Sequence, residues 1–226
     1  MPVLEVCKRR LKDGITHTDP ELPKIFAEIR SATNVDFVFY SSIENPSDFF
    51  ALGVWPSKAA WDKYVAWDEE PPFMTALTRV SDFEWIEFAE VNSIKSLPIY
   101  APVMTVTRAF LKGDDNPKEY YRKISDLKGP IEAETKPHPC VFSWTIDTVP
   151  ESQHKWLMFV GWKSKKHHQD YAEWLRRTPG FEEFPTIPEH YDEGTTHTHT
   201  FNMERSAWKQ LVKMTCDPLS CLRHIL

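Results

Sequence analysis

Trp55–Trp67, WPSKAAWDKYVAW, and Trp162–Trp174, WKSKKHHQDYAEW, read as one pattern, W-x-S-K-x5-Y-x2-W, at an offset of 107 (162 − 55). Five of thirteen positions are identical, four of them aromatic or serine, which points to duplication rather than chance. Each copy follows an apolar run of strand character, DFFALGVW or KWLMFVGW. Each has a serine, Ser57 or Ser164, where a hydroxyl accepts from the free N–H groups of a first helical turn. Helical spacing then puts Trp61, Tyr64 and Val65 on one face in the first copy, and His168, Tyr171 and Leu175 on one face in the second.

Working outward, the flanks also recur. VLEVCKRRLKDG and VMTVTRAFLKGDD read as opening strands that run into a charged turn. ELPKIFAEIRSAT and PKEYYRKISDLKG are amphipathic helices, with Leu22, Ile25, Phe26 and Ile29 on one face of the first, and Tyr120, Ile124, Leu127 and Ile131 on one face of the second. VDFVFYSSI and CVFSWTID are second strands, and DFEWIEFAEV and TTHTHTFN closing ones. Each half is therefore β-α-β-β-α-β, the ferredoxin-like order. PIYAP (98–102) is the joint, giving a scaffold half, 1–97, and a second half, 98–226, that includes a C-terminal helix or tail.

One four-stranded sheet with both helices on the same side leaves an apolar face bare. Two such sheets in one chain cover each other, so the α+β fold expected is an intramolecular dimeric barrel, with further homodimerisation left open.

Bulk properties narrow the function. A net charge of −6 without a basic run argues against nucleic acid or an anionic membrane as partner. No apolar stretch has the length of a membrane helix, and the start, MPVLEVCKRR, lacks the core of a secretory signal. With four scattered cysteines, reduced thiols and a cytoplasmic location are expected. Cys216, Cys221 and His224 match no common zinc spacing. Glycine is scarce, with 7 residues and no G-x-G-x-x-G or Walker-type loop, so no nucleotide or flavin cofactor is expected.

The element order, with the strand–Trp–Ser–helix signature at Trp55 and Trp162, resembles the dimeric α+β barrel superfamily. Within it, the chain is similar to antibiotic-biosynthesis-monooxygenase-like proteins of the tandem type common in fungi. The likeness covers roughly residues 3–92 and 102–205. It implies a small-molecule site between sheet and helices, in a superfamily of cofactor-free oxygenases, polyketide cyclases, isomerases, decarboxylases, heme-degrading enzymes and stress proteins. Members often carry a histidine nine positions after the strand-end aromatic, and in heme-binding relatives a helix histidine there ligates iron. Both copies here have tyrosine instead, Tyr64 and Tyr171, which argues against heme.

Histidine is unevenly shared: one, His17, precedes residue 100, and eight follow it. Where copy one has Trp61, copy two has His168. Giving up a buried tryptophan forfeits about 2–3 kcal/mol of apolar burial, which a polar network or a function must offset. In TTHTHTFN, strand alternation puts Thr195, His197, His199 and Phe201 on one face. That face is compatible with a solvated rim, a pocket wall, or half of a metal site. His167 and His168 also fit a solvated first helical turn, and His138 a loop. The tryptophans at 55, 67, 162 and 174 read as core.

The reading adopted is a pocket with no metal. His197 or His199 is the base, His168 or Tyr171 its helper, and Trp144, Cys140, Trp85 and Tyr40 line the substrate. Glu84, Glu87 and Asp36 are weaker candidates. The function expected is acid–base catalysis on a hydrophobic aromatic or polycyclic intermediate, of cyclase or isomerase type. Cofactor-free oxygenation, heme binding and non-catalytic ligand sequestration are the alternatives.

Overall fold

Alternating burial along the strands fixes how the layers stack. The computed structural model describes residues 1–66, 71–112, 117–146, 154–181 and 191–205. Its first half runs β1 (Val3–Leu11), α1 (Leu22–Thr33), β2 (Val38–Ser42), β3 (Asp48–Trp55), α2 (Lys58–Val65), α3 (Pro72–Val80) and β4 (Ser81–Glu90). Past a 3-10 turn at Ile94–Ser96 come β5 (Val103–Phe110), α4 (Pro117–Thr135), β6 (Cys140–Trp144), β7 (Lys155–Trp162), α5 (Lys165–Arg177) and β8 (Thr196–Asn202).

The eight strands form one antiparallel sheet in the order β4-β1-β3-β2-β8-β5-β7-β6. The relative order of the first four strands recurs in the last four. β2 and β8 join the halves, through Tyr40↔Asn202, Ser41↔Phe201 and Ser42↔Thr200. The outer edges also touch: Ala89 and Thr145 form a single antiparallel bridge, and the Ile146 N–H donates to the Phe88 carbonyl at 2.9 Å. The sheet therefore curls round until its edges meet.

Three cores result. Leu4, Val6, Tyr40, Phe50 and Leu52 meet Met104, Val106, Leu157 and Phe159 inside the curl. On the outer face of the first four strands, Leu22, Ile25, Phe26 and Ile29 of α1 pack on Phe39, Phe49 and Trp55. Phe26 and Phe39 stack with centroids 3.7 Å apart. On the outer face of the last four, Tyr120, Ile124, Leu127 and Ile131 of α4 pack on Cys140, Trp156, Val160 and Trp162. Both helix faces read from spacing are thus the buried ones. Gly161 lets the joint lie against β7, because a Cβ there would sit 2.8 Å from Pro98 and Ala101 and 2.5 Å from His138.

Three details depart from the sequence reading. Val65 is 51% exposed, because α2 ends there before its face can be covered. Trp174 is half-exposed rather than core, while Trp55 and Trp162 are buried; Trp67 lies outside the described residues. The first half also has an unanticipated helix, α3, which starts at Pro72 and buries Phe73, Leu77 and Val80. Proline suits a helix start, where its missing N–H is not needed. The C-terminal tail, with Cys216, Cys221 and His224, lies outside the described residues. Among those described, no helix is long and apolar enough to cross a membrane.

Candidate active site

The His-bearing face of β8 points toward the helices. The strand pairs with β5 so that Thr105 lies opposite His199 and Thr107 opposite His197. Facing them is α5, whose start is set by Ser164, whose hydroxyl accepts from the His167 N–H at 3.0 Å. His168 follows within the same turn, and its ring stacks on Trp162 at 4.3 Å. The Trp162 indole is anchored in turn by donating from Nε1 to Thr105 Oγ1 at 3.2 Å.

Three imidazoles meet there. The His168 ring centroid is 5.0 Å from those of both His197 and His199, which are 5.5 Å from each other. His168 Nδ1 and His199 Nε2 are 2.8 Å apart. On its other side, His199 Nδ1 lies 2.7 Å from Glu44 Oε1, and the His199 backbone N–H donates to Oε2 at 3.0 Å. A carboxylate accepts only, so Nδ1 of His199 carries the proton and Nε2 the lone pair. The His168 Nδ1–H then donates to that lone pair, leaving the lone pair of His168 on Nε2. His197 Nδ1 bonds the Thr107 hydroxyl at 2.7 Å. Lys165 holds the Glu44 carboxylate from the helix side at 3.0 Å.

Electrostatics follow from this packing. Partial burial acts to raise the Glu44 carboxyl, but hydrogen bonds from His199 and Lys165, and their charge, outweigh it and bring it down to about 2. Burial, and then the facing His197 and His199, depress His168 to about 3. His197 is exposed by surface area at the rim, yet its ring is crowded by His168, His199 and Thr107. That crowding, and then His199, bring it down to about 4 against the opposing pull of Glu44. At pH 7 His168 and His197 are neutral, with lone pairs available.

The corresponding registers of the first half hold a different set. Val3 lies opposite Trp55 as Val103 lies opposite Trp162. From that alignment Glu5 corresponds to Thr105, Cys7 to Thr107, Phe88 to His199 and Ile86 to His197. Glu5 is buried and accepts from Trp55 Nε1 at 2.7 Å. Trp61 packs edge-on against Phe88 at 4.7 Å, and Lys58 caps both rings. The place that is aromatic and acidic in one half is triply imidazole in the other.

Tyr171 is not part of the imidazole cluster. It lines a separate open groove of about 490 Å³ between α4 and α5, with Pro130, Ala133, Glu134, His167, Asp170 and Trp174. The groove adjoins the cluster through Trp162, which touches both His168 and Tyr171. The Tyr171 hydroxyl and His167 Nδ1 are buried without a hydrogen-bond partner among the described residues. Burial, and then Glu134, raise the Tyr171 phenol to about 12, so it stays protonated as a donor. His167 Nε2 bonds Glu134 at 2.7 Å, so His167 is tied down rather than merely solvated.

The remaining candidates lie elsewhere. Cys140 and Trp144 are on β6, three strands from β8 and hence about 14 Å across the sheet. Cys140 is buried in the helix-side core, with its thiol pushed up to about 12 by burial and then by Glu132, and so inert. Trp144 packs on the margin of that core. Tyr40 is fully buried inside the curl and donates to the Ile99 carbonyl at 3.2 Å. Trp85 stands by the same inner core under the Arg108 guanidinium. Glu87 is buried and ion-paired to Arg108 and Lys155, Glu84 pairs with Lys8 and Arg10, and Asp36 is exposed. None of these is part of the imidazole cluster. The residues that sequence reasoning missed are Glu44, Lys165, Thr105 and Thr107. The two threonines had a signal, the alternation of VMTVT beside THTHT; Glu44 had none.

No family model and no curated protein matches this chain. Solved structures do. An anthrone oxidase-like protein aligns with a TM-score of 0.59 at 12% identity, over 88% of this chain and 91% of that one. A monooxygenase candidate from Lactobacillus acidophilus NCFM aligns at 0.54 and 11%, over 89% and 94%. A heme-binding protein from Thermus thermophilus aligns at 0.51 and 9%, over 94% and 95%. At such identities the likeness establishes the fold, that of α+β barrels, and leaves activity to be argued from the site.

Proposed function

We propose that this protein is an enzyme that moves a proton on an apolar, cyclic small molecule, using the second-half imidazoles and no nucleotide cofactor. The chain is taken as two ferredoxin-like repeats, 1–97 and 98–226, closed into one barrel. The observation that carries the reading is the directed hydrogen-bond series Glu44–His199–His168. A proton taken by His168 Nε2 from carbon or oxygen can be matched by transfer of its Nδ1 proton to His199, whose imidazolium the Glu44 carboxylate then stabilises. Positive charge is thereby placed on His199 against the Glu44 carboxylate rather than held on His168. General-base catalysis of this kind is worth 10²–10⁴-fold.

The Tyr171 hydroxyl, buried at the wall of the adjoining groove and without a partner among the described residues, becomes a donor to an oxyanion there once a turn of the side chain uncovers it. Trp174 supplies a flat apolar wall there, which suits an aromatic or polycyclic enolisable ketone. Similarity to an anthrone oxidase-like protein supports that substrate class. Cyclisation or isomerisation follows from the enolate directly. Its capture by dioxygen is the oxygenase variant of the same step.

The test is exchange of carbon-bound protons with D2O, followed by NMR over a panel of enolisable polycyclic ketones, with oxygen uptake monitored in parallel. Exchange is expected with at least one panel member, falling 10²-fold or more in His168→Gln. Exchange undiminished in that variant, or ligand binding with no exchange anywhere in the panel, would overturn the reading.

A further inference from the structure

We infer that His168, His197 and His199 bind a divalent transition-metal ion of the zinc class, with Glu44 as the outer carboxylate that fixes His199. The inference deepens the acid–base reading of this cluster and rests on it for the site's purpose, though not for the geometry. One nitrogen from each of the three rings lies within 4.8 Å of the other two. Tetrahedral zinc with Zn–N bonds of about 2.05 Å spaces its nitrogens about 3.3 Å apart. The His168–His199 pair, at 2.8 Å, must open by about half an ångström, and the widest pair must close by about 1.5 Å at most. His197 stands at the rim and His168 on a helical first turn, so side-chain rotation alone covers such distances.

The tautomer of His199 is set for it. His199 donates from Nδ1 to Glu44, which presents Nε2 to the centre of the cluster. This is the carboxylate–histidine–metal arrangement that orients ligand rings and raises their basicity. The Thr107 hydroxyl bonds His197 Nδ1 and, by accepting its proton, would leave Nε2 for the ion. The hydrogen bond between His168 Nδ1 and His199 Nε2 lies where the ion belongs; on binding, the His168 ring proton passes from Nδ1 to Nε2 through solvent, and two coordinate bonds replace the hydrogen bond. Three neutral nitrogen ligands suit zinc, cobalt, nickel or copper and discriminate against magnesium and calcium, which prefer oxygen.

Three protein ligands leave a tetrahedral ion with one open position, the pattern of catalytic rather than structural sites. A bound water there would be acidified toward neutrality and would replace the His168 lone pair as the base. The corresponding first-half registers hold Trp61, Ile86 and Phe88, so one ion per chain is expected.

The experiment uses full-length protein stripped with a chelator and titrated with ZnCl2 against a chromophoric competitor, then with CoCl2 to read visible d–d bands. One equivalent of zinc and tetrahedral cobalt bands are expected, together with a raised Tm. His197→Gln, at the rim, should keep the fold by circular dichroism and weaken zinc by 100-fold or more. Glu44→Gln should weaken it 10–100-fold. The double variant Cys216→Ser/Cys221→Ser should bind as wild type. Stoichiometry below about 0.1, zinc affinity unchanged in His197→Gln, or loss of binding with the two cysteines would each overturn the inference. Failure of the two readings is separable. His168-dependent proton exchange in zinc-free protein that binds no zinc sinks the metal alone, and zinc held by the three histidines with no exchange anywhere sinks the acid–base reading alone.

Discussion

Glu5 gives the sharpest test of the electrostatic reading, because its environment is buried, aromatic and remote from the imidazoles. Burial lifts its carboxyl from an ordinary 4.5 to about 7, only partly offset by donation from Trp55 and Trp61. Each step of one in pKa is worth ~1.36 kcal/mol, so the displacement is worth about 3 kcal/mol in all. Its sign is fixed by linkage. The folded state keeps the proton while the unfolded chain gives it up above pH 4.5, so the stabilisation is present below that pH and is lost as pH rises through 7. Glu5→Gln keeps the shape and an acceptor for Trp55 Nε1 but carries no titrating proton. Urea unfolding of both proteins, followed by tryptophan fluorescence between pH 5 and 8, isolates Glu5, because every other titration is common to the two. The variant should gain on wild type by about 2.5 kcal/mol across that range. Curves that stay parallel to within about 0.5 kcal/mol would refute the burial argument, and with it the view that this register in the first half is built to hold a neutral acid.

Other expectations follow from single contacts. Ser164→Ala removes the hydroxyl that accepts at the start of α5 and should cost about 1 kcal/mol, read as a lower Tm and, because His168 rides on that turn, as slower proton exchange. Tyr171→Phe deletes a buried hydroxyl without a partner among the described residues, so stability should hold or rise slightly while affinity for a ketone ligand falls; a fall in Tm with ligand affinity unchanged would mean the hydroxyl serves the fold. Titration with hemin should give no saturable Soret shift at one equivalent. Such a shift, lost in His168→Ala, would make the heme alternative the better account of the cluster.

What the sequence disclosed depended on local physics. The duplicated W-x-S-K-x5-Y-x2-W pattern located both strand ends, both serine caps and the exchange of Trp61 for His168, since capping and helical spacing act within a few residues. Strand alternation put His197 and His199 on one face, and contact with α5 shows which way that face looks. Glu44 was out of reach because its contact depends on β2 pairing with β8 across the two halves, and apolar patterns that repeat do not specify which edges meet. Spacing puts Tyr171 beside His168 on α5 and so groups it with the histidines. Spacing does not reveal that Tyr171 lines the groove beside α4, with its hydroxyl buried at the groove wall. Trp144, Cys140, Tyr40 and Trp85 are aromatic or soft residues on strands, a property shared by core positions, and strand order sends them elsewhere.

The proposed division into a scaffold half and a working half needs one amendment, because the carboxylate that bonds His199 belongs to the first half. The crossing that delivers it occurs on both sides of the barrel. Ile43 N–H donates to the His199 carbonyl at 2.8 Å, and Ile146 N–H donates to the Phe88 carbonyl at 2.9 Å. A residue following β2 therefore meets β8 in the register in which a residue following β6 meets β4. In a symmetric pair of identical subunits both crossings would carry the same chemistry. In one chain the two crossings are free to differ, and they do: His199 has a ring nitrogen for the carboxylate at its crossing, and Phe88 has none. The first half can then fill its registers with Trp61, Ile86 and Phe88 at the apolar burial that His168, His197 and His199 forgo, about 2–3 kcal/mol for a fully buried ring. The asymmetry predicts one working site per chain, and a titration that saturates at two equivalents would contradict it.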